Sequence, residues 1–100
     1  MARKDWIVAR TPEELANVLG LTPADAQEWR FREALANRIA QEVERQKLTH
    51  AQAAKLAGTS RSRMTAVLNG GLVDISTDLL LRILASLGVR VKPTFSRVAA

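Results

Sequence analysis

The sequence lacks cysteine and contains one histidine, His50. Disulfide frameworks, thiolate metal sites and metal centres built from several histidines are therefore excluded. No apolar run reaches the roughly 18 residues that a membrane-spanning helix needs, and the polar N-terminus carries no signal-peptide core. We therefore expect no membrane span, no cofactor metal and a cytoplasmic location.

The composition is that of an ordinary globular protein. Hydrophobic residues make up 47% and charged residues 25% of the 100 positions, which argues against disorder. Single cores rarely split below about 250 residues. We therefore expect residues 1–100 to form one domain.

The basic excess is concentrated in the second half of the chain. Residues 1–46 hold seven basic and eight acidic residues, whereas residues 47–100 hold eight basic and two acidic residues. No acidic residue occurs between Arg45 and Val73. A one-sided positive field favours a polyanionic partner, of which nucleic acid is the usual soluble example, although a solvated basic face is the alternative.

The N-terminal half predicts an arm followed by two helices. Residues 1–10 form a charged arm with a small apolar island around Trp6 and Ile7. Residues 11–47 hold the N-terminal helices: Thr11-Pro12 opens the first, and Gly20 suits its end. Thr22-Pro23 opens a long helix that runs to about Gln46 and carries an apolar row spaced by four. That row, which is core or dimer surface, comprises Phe31, Leu35, Ile39 and Val43.

Residues 48–70 predict two short helices that almost touch. Thr49 and Gln52 form a capping box, and Gly58 supplies a positive-φ turn between the helices. Small residues on the first helix let the second approach closely, and Ser60 caps the second helix. The small residues are Ala53, Ala54 and Ala57, and the buried side of the second helix is Met64, Val67 and Leu68.

The C-terminal part predicts a helix and a strand. Ser76 opens a helix over residues 76–88, with Leu80, Ile83, Leu84 and Leu87 inward and Gly88 as its end. Residues 89–97 alternate apolar and polar side chains, which indicates a strand, and Pro93 confines that strand to a sheet edge. It closes against the N-terminal arm or pairs with a second copy. The expected fold class is all-α with a short C-terminal edge β-strand.

The first turn of the second short helix points to DNA. Arg61, Ser62 and Arg63 project short and long hydrogen-bonding groups, as a recognition helix does in the major groove. Arginine can bond guanine O6 and N7 together, which is worth about 1–3 kcal/mol of discrimination. The alternative is a solvated basic face. No nucleophile–base pair, metal cluster or phosphate loop is present, so we do not expect an enzyme.

Residues 48–70 resemble the helix-turn-helix of lambda-repressor-like (XRE-family) regulators. Positions that match outright are Leu48, Thr49, Ala54, Gly58, Ser60, Asn69 and Gly70, and Met64, Thr65 and Val67 match by type. The resemblance implies a lambda-repressor-like bundle of about five helices. It also implies base contacts from Arg61, Ser62, Arg63 and Thr65, and DNA backbone contacts from Thr49, His50, Lys55, Ser60 and Asn69.

Two residues depart from the family pattern. His50 stands where the family usually has a phosphate-contacting glutamine, and an idle exposed residue is the alternative role. Arg61 stands where glutamine commonly reads adenine, so a different base, such as guanine, is expected. For Ser60 the simpler role is the helix cap, and for Asn69 it is the turn.

The wider layout, over about residues 15–95, is similar to HigA-like antitoxins of toxin–antitoxin modules. This implies an autorepressing, nucleoid-associated regulator that also neutralises a RelE- or HigB-like toxin. A stand-alone phage- or plasmid-type repressor and a protein-binding neutraliser with little DNA affinity are the alternatives. A homodimer on a palindromic operator is expected, with recognition helices about 34 Å apart.

Three residues are candidate contacts for a protein partner: Trp6, Ile7 and Trp29. Trp6 either packs locally on Leu15 or anchors a partner, since aromatic residues dominate interface hot spots. Trp29 either seals the junction of the first two helices or faces a partner. Acidic pairs such as Glu13/Glu14 and Glu42/Glu44 are expected to be solvated helix faces.

Overall fold

A computed structural model describes residues 12–98 of the chain and contains five α-helices in that range. They are α1 (Pro12–Leu19), α2 (Pro23–Arg45), α3 (His50–Ala57), α4 (Arg61–Leu68) and α5 (Thr77–Ser86). The all-helical prediction is thus confirmed for the described residues. The described residues divide into two compact units, and the boundary lies between residues 34 and 35, inside α2. The prediction of one domain stays a prediction.

The helices α2 to α5 begin at residues whose side chains satisfy the first backbone N–H groups. Thr22 caps α2: its Oγ1 accepts from the Asp25 N–H at 3.1 Å, while Asp25 Oδ2 accepts from the Thr22 N–H at 3.0 Å and the hydroxyl at 2.8 Å. The hydrogen bond from the Thr22 N–H, and to a smaller extent the one from the Thr22 hydroxyl, lower the pKa of Asp25. The predicted caps Ser60 and Ser76 are confirmed for α4 and α5. The predicted cap Thr11 lies outside the described residues.

The second unit is built around α3, which packs against both α4 and α5. Ala53, Ala54 and Ala57 of α3 are buried, as the close approach of a neighbouring helix requires, whereas Ala51 is exposed. Met64 and Val67 on α4 are buried as well, whereas Leu68 is only half-buried. The inward residues predicted for α5 are all buried, and Leu79 joins them. The largest fully buried side chains are Ile39, Met64, Leu80, Ile83, Leu84 and Val67.

Several apolar side chains between residues 18 and 31 of the first unit are exposed. Ala26 is buried and Trp29 is half-buried. Phe31 is 43% exposed, so the core alternative is wrong for Phe31, although Leu35, Ile39 and Val43 of the same row are buried. Other exposed large apolar residues of this unit are Val18, Leu19 and Leu21.

The predicted strand over residues 89–97 is absent, and residues 89–98 follow α5 without regular structure. A strand needs a second extended segment to accept and donate its backbone hydrogen bonds, and the described residues contain no such partner strand. Of the apolar members of the alternating pattern, Val91 and Phe95 are exposed and Val89 is half-buried. An alternating sequence without a partner does not form a sheet edge.

Glu42 is not on a solvated helix face, which corrects the prediction for that residue. It is 5% exposed, and its carboxylate accepts from Arg45 at 2.7 and 3.1 Å, Gln46 Nε2 at 3.1 Å and Arg38 Nε at 3.2 Å. Bonds from Arg45, Gln46 and Arg38 hold the pKa of Glu42 at about 2, against a desolvation effect that raises it. Gln46 Nε2 also donates to the Leu87 carbonyl at 2.9 Å, which ties the end of α2 to the end of α5.

Candidate nucleic-acid interface

The turn between α3 and α4 has the geometry that the sequence predicted. Gly58 has φ +70°, a conformation that a residue with a β-carbon resists. Its N–H donates to the Lys55 carbonyl at 3.2 Å, and the Thr59 N–H donates to the Ala54 carbonyl at 3.0 Å. Ser60 then accepts from the Arg63 N–H at 3.1 Å. One helix therefore ends and the next begins within three residues.

The packing of α4 determines which of its side chains reach solvent. Met64 and Val67 are buried, so the side chains of its first turn point away from the core. Arg61, Ser62 and Arg63 are all exposed. The structure thus brings these three predicted base-contacting residues together at the start of α4, on a helix fixed by its cap and its buried side.

Thr65 and His50 differ from this pattern because they bond to each other. Thr65 Oγ1 lies 2.9 Å from His50 Nδ1, and both residues are half-buried. The sequence reasoning assigned one residue to a base edge and the other to a phosphate, and it missed the bond between them. The two positions are 15 residues apart, so no local pattern could indicate that contact.

The other residues predicted to contact the DNA backbone fall into two groups: Thr49 and Ser60 cap helices, whereas Lys55 and Asn69 are exposed. Thr49 Oγ1 accepts from the Gln52 N–H at 3.1 Å, and Gln52 Oε1 accepts from the Thr49 N–H at 2.8 Å, which confirms the capping box. Ser60 is likewise a cap. Lys55 and Asn69 are exposed, and within residues 12–98 Lys55 makes no ion pair. The long basic side chain is thus available to solvent or to a ligand.

A groove beside α4 contains residues that the sequence reasoning did not single out. Its volume is about 310 Å³, and it is lined by Ser62 and Arg63 of α4 together with Val73 and Asp74 of the following loop. Val73 is 82% exposed. Asp74 is one of two acidic residues after position 46, and it lines the same groove as Arg63 at the basic start of α4. The sequence could have indicated Asp74 only through its position, as the first acidic residue after the basic segment.

The predicted protein-contact residues are only partly described. Trp6 and Ile7 lie outside the described residues. Trp29 is half-buried, and the guanidinium of Arg32 lies 5.7 Å from the centre of its ring. That distance is within the range of a cation–π interaction. Part of the Trp29 surface is therefore used inside its own unit.

Comparison with known proteins identifies the domain. A family model described as a helix-turn-helix domain matches residues 11–93. The chain belongs to this helix-turn-helix family. The matched range includes all five helices. The pair α3 and α4, joined by the Gly58 turn, has the arrangement of the two helices of such a motif. No curated protein and no solved structure matches the chain.

Membership in the helix-turn-helix family indicates a DNA-binding regulator. In this motif the second helix lies in the major groove and the first crosses the DNA backbone. Here those helices are α4 and α3. None of the helices that the structure describes is long and apolar enough to span a membrane.

Proposed function

We propose that this protein is a sequence-specific transcriptional repressor that reads DNA with α4. The observation that carries the proposal is the exposure of Arg61, Ser62 and Arg63 on the first turn of a capped helix, within a helix-turn-helix domain. Residues at this end of a recognition helix contact base edges. Arg61 is the residue that we assign to a guanine, through O6 and N7.

The first helix of the motif holds the protein on the DNA backbone. Lys55 is exposed and without an ion pair in the described part of the chain. His50 has its Nδ1 bonded to Thr65, which leaves Nε2 as the ring nitrogen for a phosphate. Thr49, Ser60 and Asn69 lie at the ends of α3 and α4. Such contacts fix register and orientation, whereas base contacts give the specificity.

The repressor acts as a homodimer on a palindromic operator. A single recognition helix of eight residues reads only a few base pairs, and two copies related by a two-fold axis read two half-sites about 34 Å apart. The operator lies upstream of the protein's own gene, so that the protein represses its own synthesis. No cofactor and no enzymatic step are part of this proposal.

Fluorescence anisotropy with labelled duplexes tests the proposal directly. The full chain is titrated against DNA from upstream of its own gene and against a scrambled duplex of the same base composition, from about 50 to 200 mM salt. We expect tighter binding to the upstream DNA and a linear fall of log affinity with log salt. Equal affinity for both duplexes would contradict sequence-specific repression, and weak binding insensitive to salt would favour the protein-binding neutraliser.

An antitoxin role is the second candidate, and the apolar surface of residues 12–34 favours it. Val18, Leu19, Leu21 and Phe31 are each more than two-fifths exposed. Exposed apolar residues that cluster mark protein-binding surfaces, and three of these four lie within four positions of one another, Val18, Leu19 and Leu21. The partner of the antitoxin is a small basic toxin of the RelE or HigB type, which Trp6, Ile7 and Trp29 would help to contact.

Co-purification from the native host distinguishes the antitoxin from the stand-alone repressor. We expect a tagged chain to recover a small basic protein in stoichiometric amount, and Phe31→Ser to reduce that recovery. Val98→Ser, which changes an apolar residue that is 89% exposed in the C-terminal segment, is the matched control. Recovery of the homodimer with DNA and no second protein would support the stand-alone repressor.

A further inference from the structure

Lys47 occupies a backbone conformation that the rest of the described chain reserves for glycine. Its φ is +56°, and among residues 12–98 it is the only non-glycine residue with a positive φ. Four of the five glycines in the sequence have φ between +70° and +84°, and each follows the end of a helix: Gly20, Gly58, Gly70 and Gly88. Lysine therefore stands at the end of α2 where the other four helices have glycine.

The turn at Lys47 has the same hydrogen bonds as three of the four glycine turns. The Lys47 N–H donates to the Glu44 carbonyl at 3.0 Å, and the Leu48 N–H donates to the Val43 carbonyl at 3.0 Å. The second of these bonds, from one residue to the carbonyl five positions earlier, also ends three other helices. Those bonds are Thr59 to Ala54, Gly71 to Ala66 and Val89 to Leu84. The geometry is thus the ordinary one for a left-handed helix end, and only the side chain differs.

A left-handed lysine is strained, because its β-carbon crowds the following carbonyl oxygen. Such strain persists only where the surroundings fix the backbone, and it is concentrated at functional positions. The surroundings do so here. Gln46 bonds to Glu42 and to the Leu87 carbonyl, and Thr49 begins α3 with its capping box. Lys47 therefore lies on a turn that is held on both sides.

The lysine side chain makes no hydrogen bond or ion pair within the described part of the chain. It is exposed, and within residues 12–98 it makes no ion pair, whereas the nearby Arg45 bonds to Glu42. No acidic residue follows it before Asp74. The turn leads directly into α3, the helix that crosses the DNA backbone in this motif. The charge, exposure and position of Lys47 all favour an anionic ligand, such as the phosphate backbone of DNA.

We propose that the Lys47 ammonium contacts a DNA phosphate, and that lysine is retained at a position suited to glycine for this contact. The inference rests on the proposed function, because it presupposes that α3 and α4 bind DNA. It adds a backbone contact that precedes the helix-turn-helix segment predicted from the sequence. The contact is independent of base sequence, since a phosphate carries no sequence information.

Lys47→Gly tests the phosphate contact and the backbone strain separately. The substitution should increase the stability of the fold and decrease the affinity for DNA. Relief of the strain raises the urea midpoint of unfolding. Loss of the ammonium weakens binding to the upstream and scrambled duplexes by the same factor, about three- to tenfold, and lowers the salt slope by about 0.9 for each bound chain. Lys47→Asn, which tolerates a positive φ and has no charge, gives the same loss of affinity. Lys47→Arg keeps the affinity.

Arg82→Gln is the matched control, because it removes one positive charge from an exposed position of α5. If the Lys47 variants lose affinity because one phosphate contact is gone, and not because the net charge is lower, Arg82→Gln should leave the salt slope of DNA binding unchanged. A Lys47→Gly variant that is more stable and binds DNA with unchanged affinity and slope would overturn this inference alone. A lower urea midpoint would also overturn it, since the strain argument would then be wrong. Absence of DNA binding by the unmodified chain would overturn the proposed function together with it.

Discussion

His50 Nδ1 lies 2.9 Å from Thr65 Oγ1, so one side-chain hydrogen bond joins the first residue of α3 to the middle of α4. When the imidazole is neutral and carries its proton on Nε2, the Thr65 hydroxyl donates to Nδ1 and Nε2–H can donate to a phosphate. The bond therefore orients the ring and connects the two helices of the motif. Thr65 supports His50 from within the motif.

Thr65→Val removes the hydroxyl and keeps the branched shape of the side chain. We expect the free energy of unfolding to fall by about 1 kcal/mol, which is typical of one lost hydrogen bond, and DNA affinity to fall without a change of sequence preference. Urea unfolding and anisotropy measure the two effects. Thr77→Val, at a residue whose hydroxyl makes no hydrogen bond within the described residues, is the control. A Thr65→Val variant with altered base preference would instead assign Thr65 to base reading.

A double-mutant cycle tests whether His50 and Thr65 act on each other. His50→Ala and Thr65→Val should each destabilise the fold, and the double variant should lose less than the sum of the two losses. We expect a coupling of about 0.5–1.5 kcal/mol, as for directly bonded side chains. The measurement is the free energy of unfolding of all four proteins in urea. Strict additivity would mean that the two side chains contribute independently in solution.

Arg61 and Lys55 are expected to differ in what their loss does to DNA binding. Arg61→Ala should reduce affinity for the upstream DNA more than for scrambled DNA, because a bidentate guanine contact contributes about 1–3 kcal/mol of discrimination. Lys55→Ala should weaken binding to both duplexes alike and lower the salt slope by about 0.9 for each bound chain. Equal losses on the two duplexes for Arg61→Ala would remove Arg61 from base reading.

The pH dependence of stability should include a contribution from Glu42. Arg45, Gln46 and Arg38 hold its pKa at about 2 in the folded chain, below the ordinary value of 4.5. The unfolded chain therefore takes up the proton first as the pH falls. The stabilisation is fully present above about pH 5 and is lost as the pH falls towards 2.

Urea midpoints measured between neutral pH and acid check this prediction. Glu42→Gln should lower the midpoint at neutral pH and flatten its fall in acid, because the group that titrates is gone. Glu44→Gln, at an exposed neighbour in the same helix, should leave the acid profile nearly unchanged. An unmodified chain and a Glu42→Gln variant with parallel acid profiles would show that Glu42 does not set this dependence.

Asp74 is expected to weaken DNA binding in the native protein. It lines the same groove as Arg63 and Ser62, so in the proposed complex its carboxylate would lie close to the phosphates that approach α4. Asp74→Asn should tighten binding to both duplexes about two- to fivefold at low salt, with a smaller gain as salt screens the charge. Glu44→Gln removes the same charge from α2 and is the control. Weaker binding of Asp74→Asn would indicate that the carboxylate positions Arg63.

Local features of this protein were determined by the sequence. The caps Thr49, Ser60 and Ser76 and the turn glycine Gly58 were predicted because each acts on residues within five positions of itself. The exposed face of α4 followed in the same way, since burial of Met64 and Val67 leaves Arg61 and Ser62 outside. Helix periodicity and capping depend on short segments, and a single sequence displays both.

Contacts between distant segments were decided only by the tertiary structure. The His50–Thr65 bond spans 15 residues, and the Gln46–Leu87 bond beside the buried Glu42 spans 41. The alternating pattern of residues 89–97 predicted a strand, yet it forms none, because a strand requires a partner that the described chain does not supply. Sequence patterns specify what one segment favours, whereas burial, pairing and the positive φ of Lys47 depend on what the fold places beside that segment.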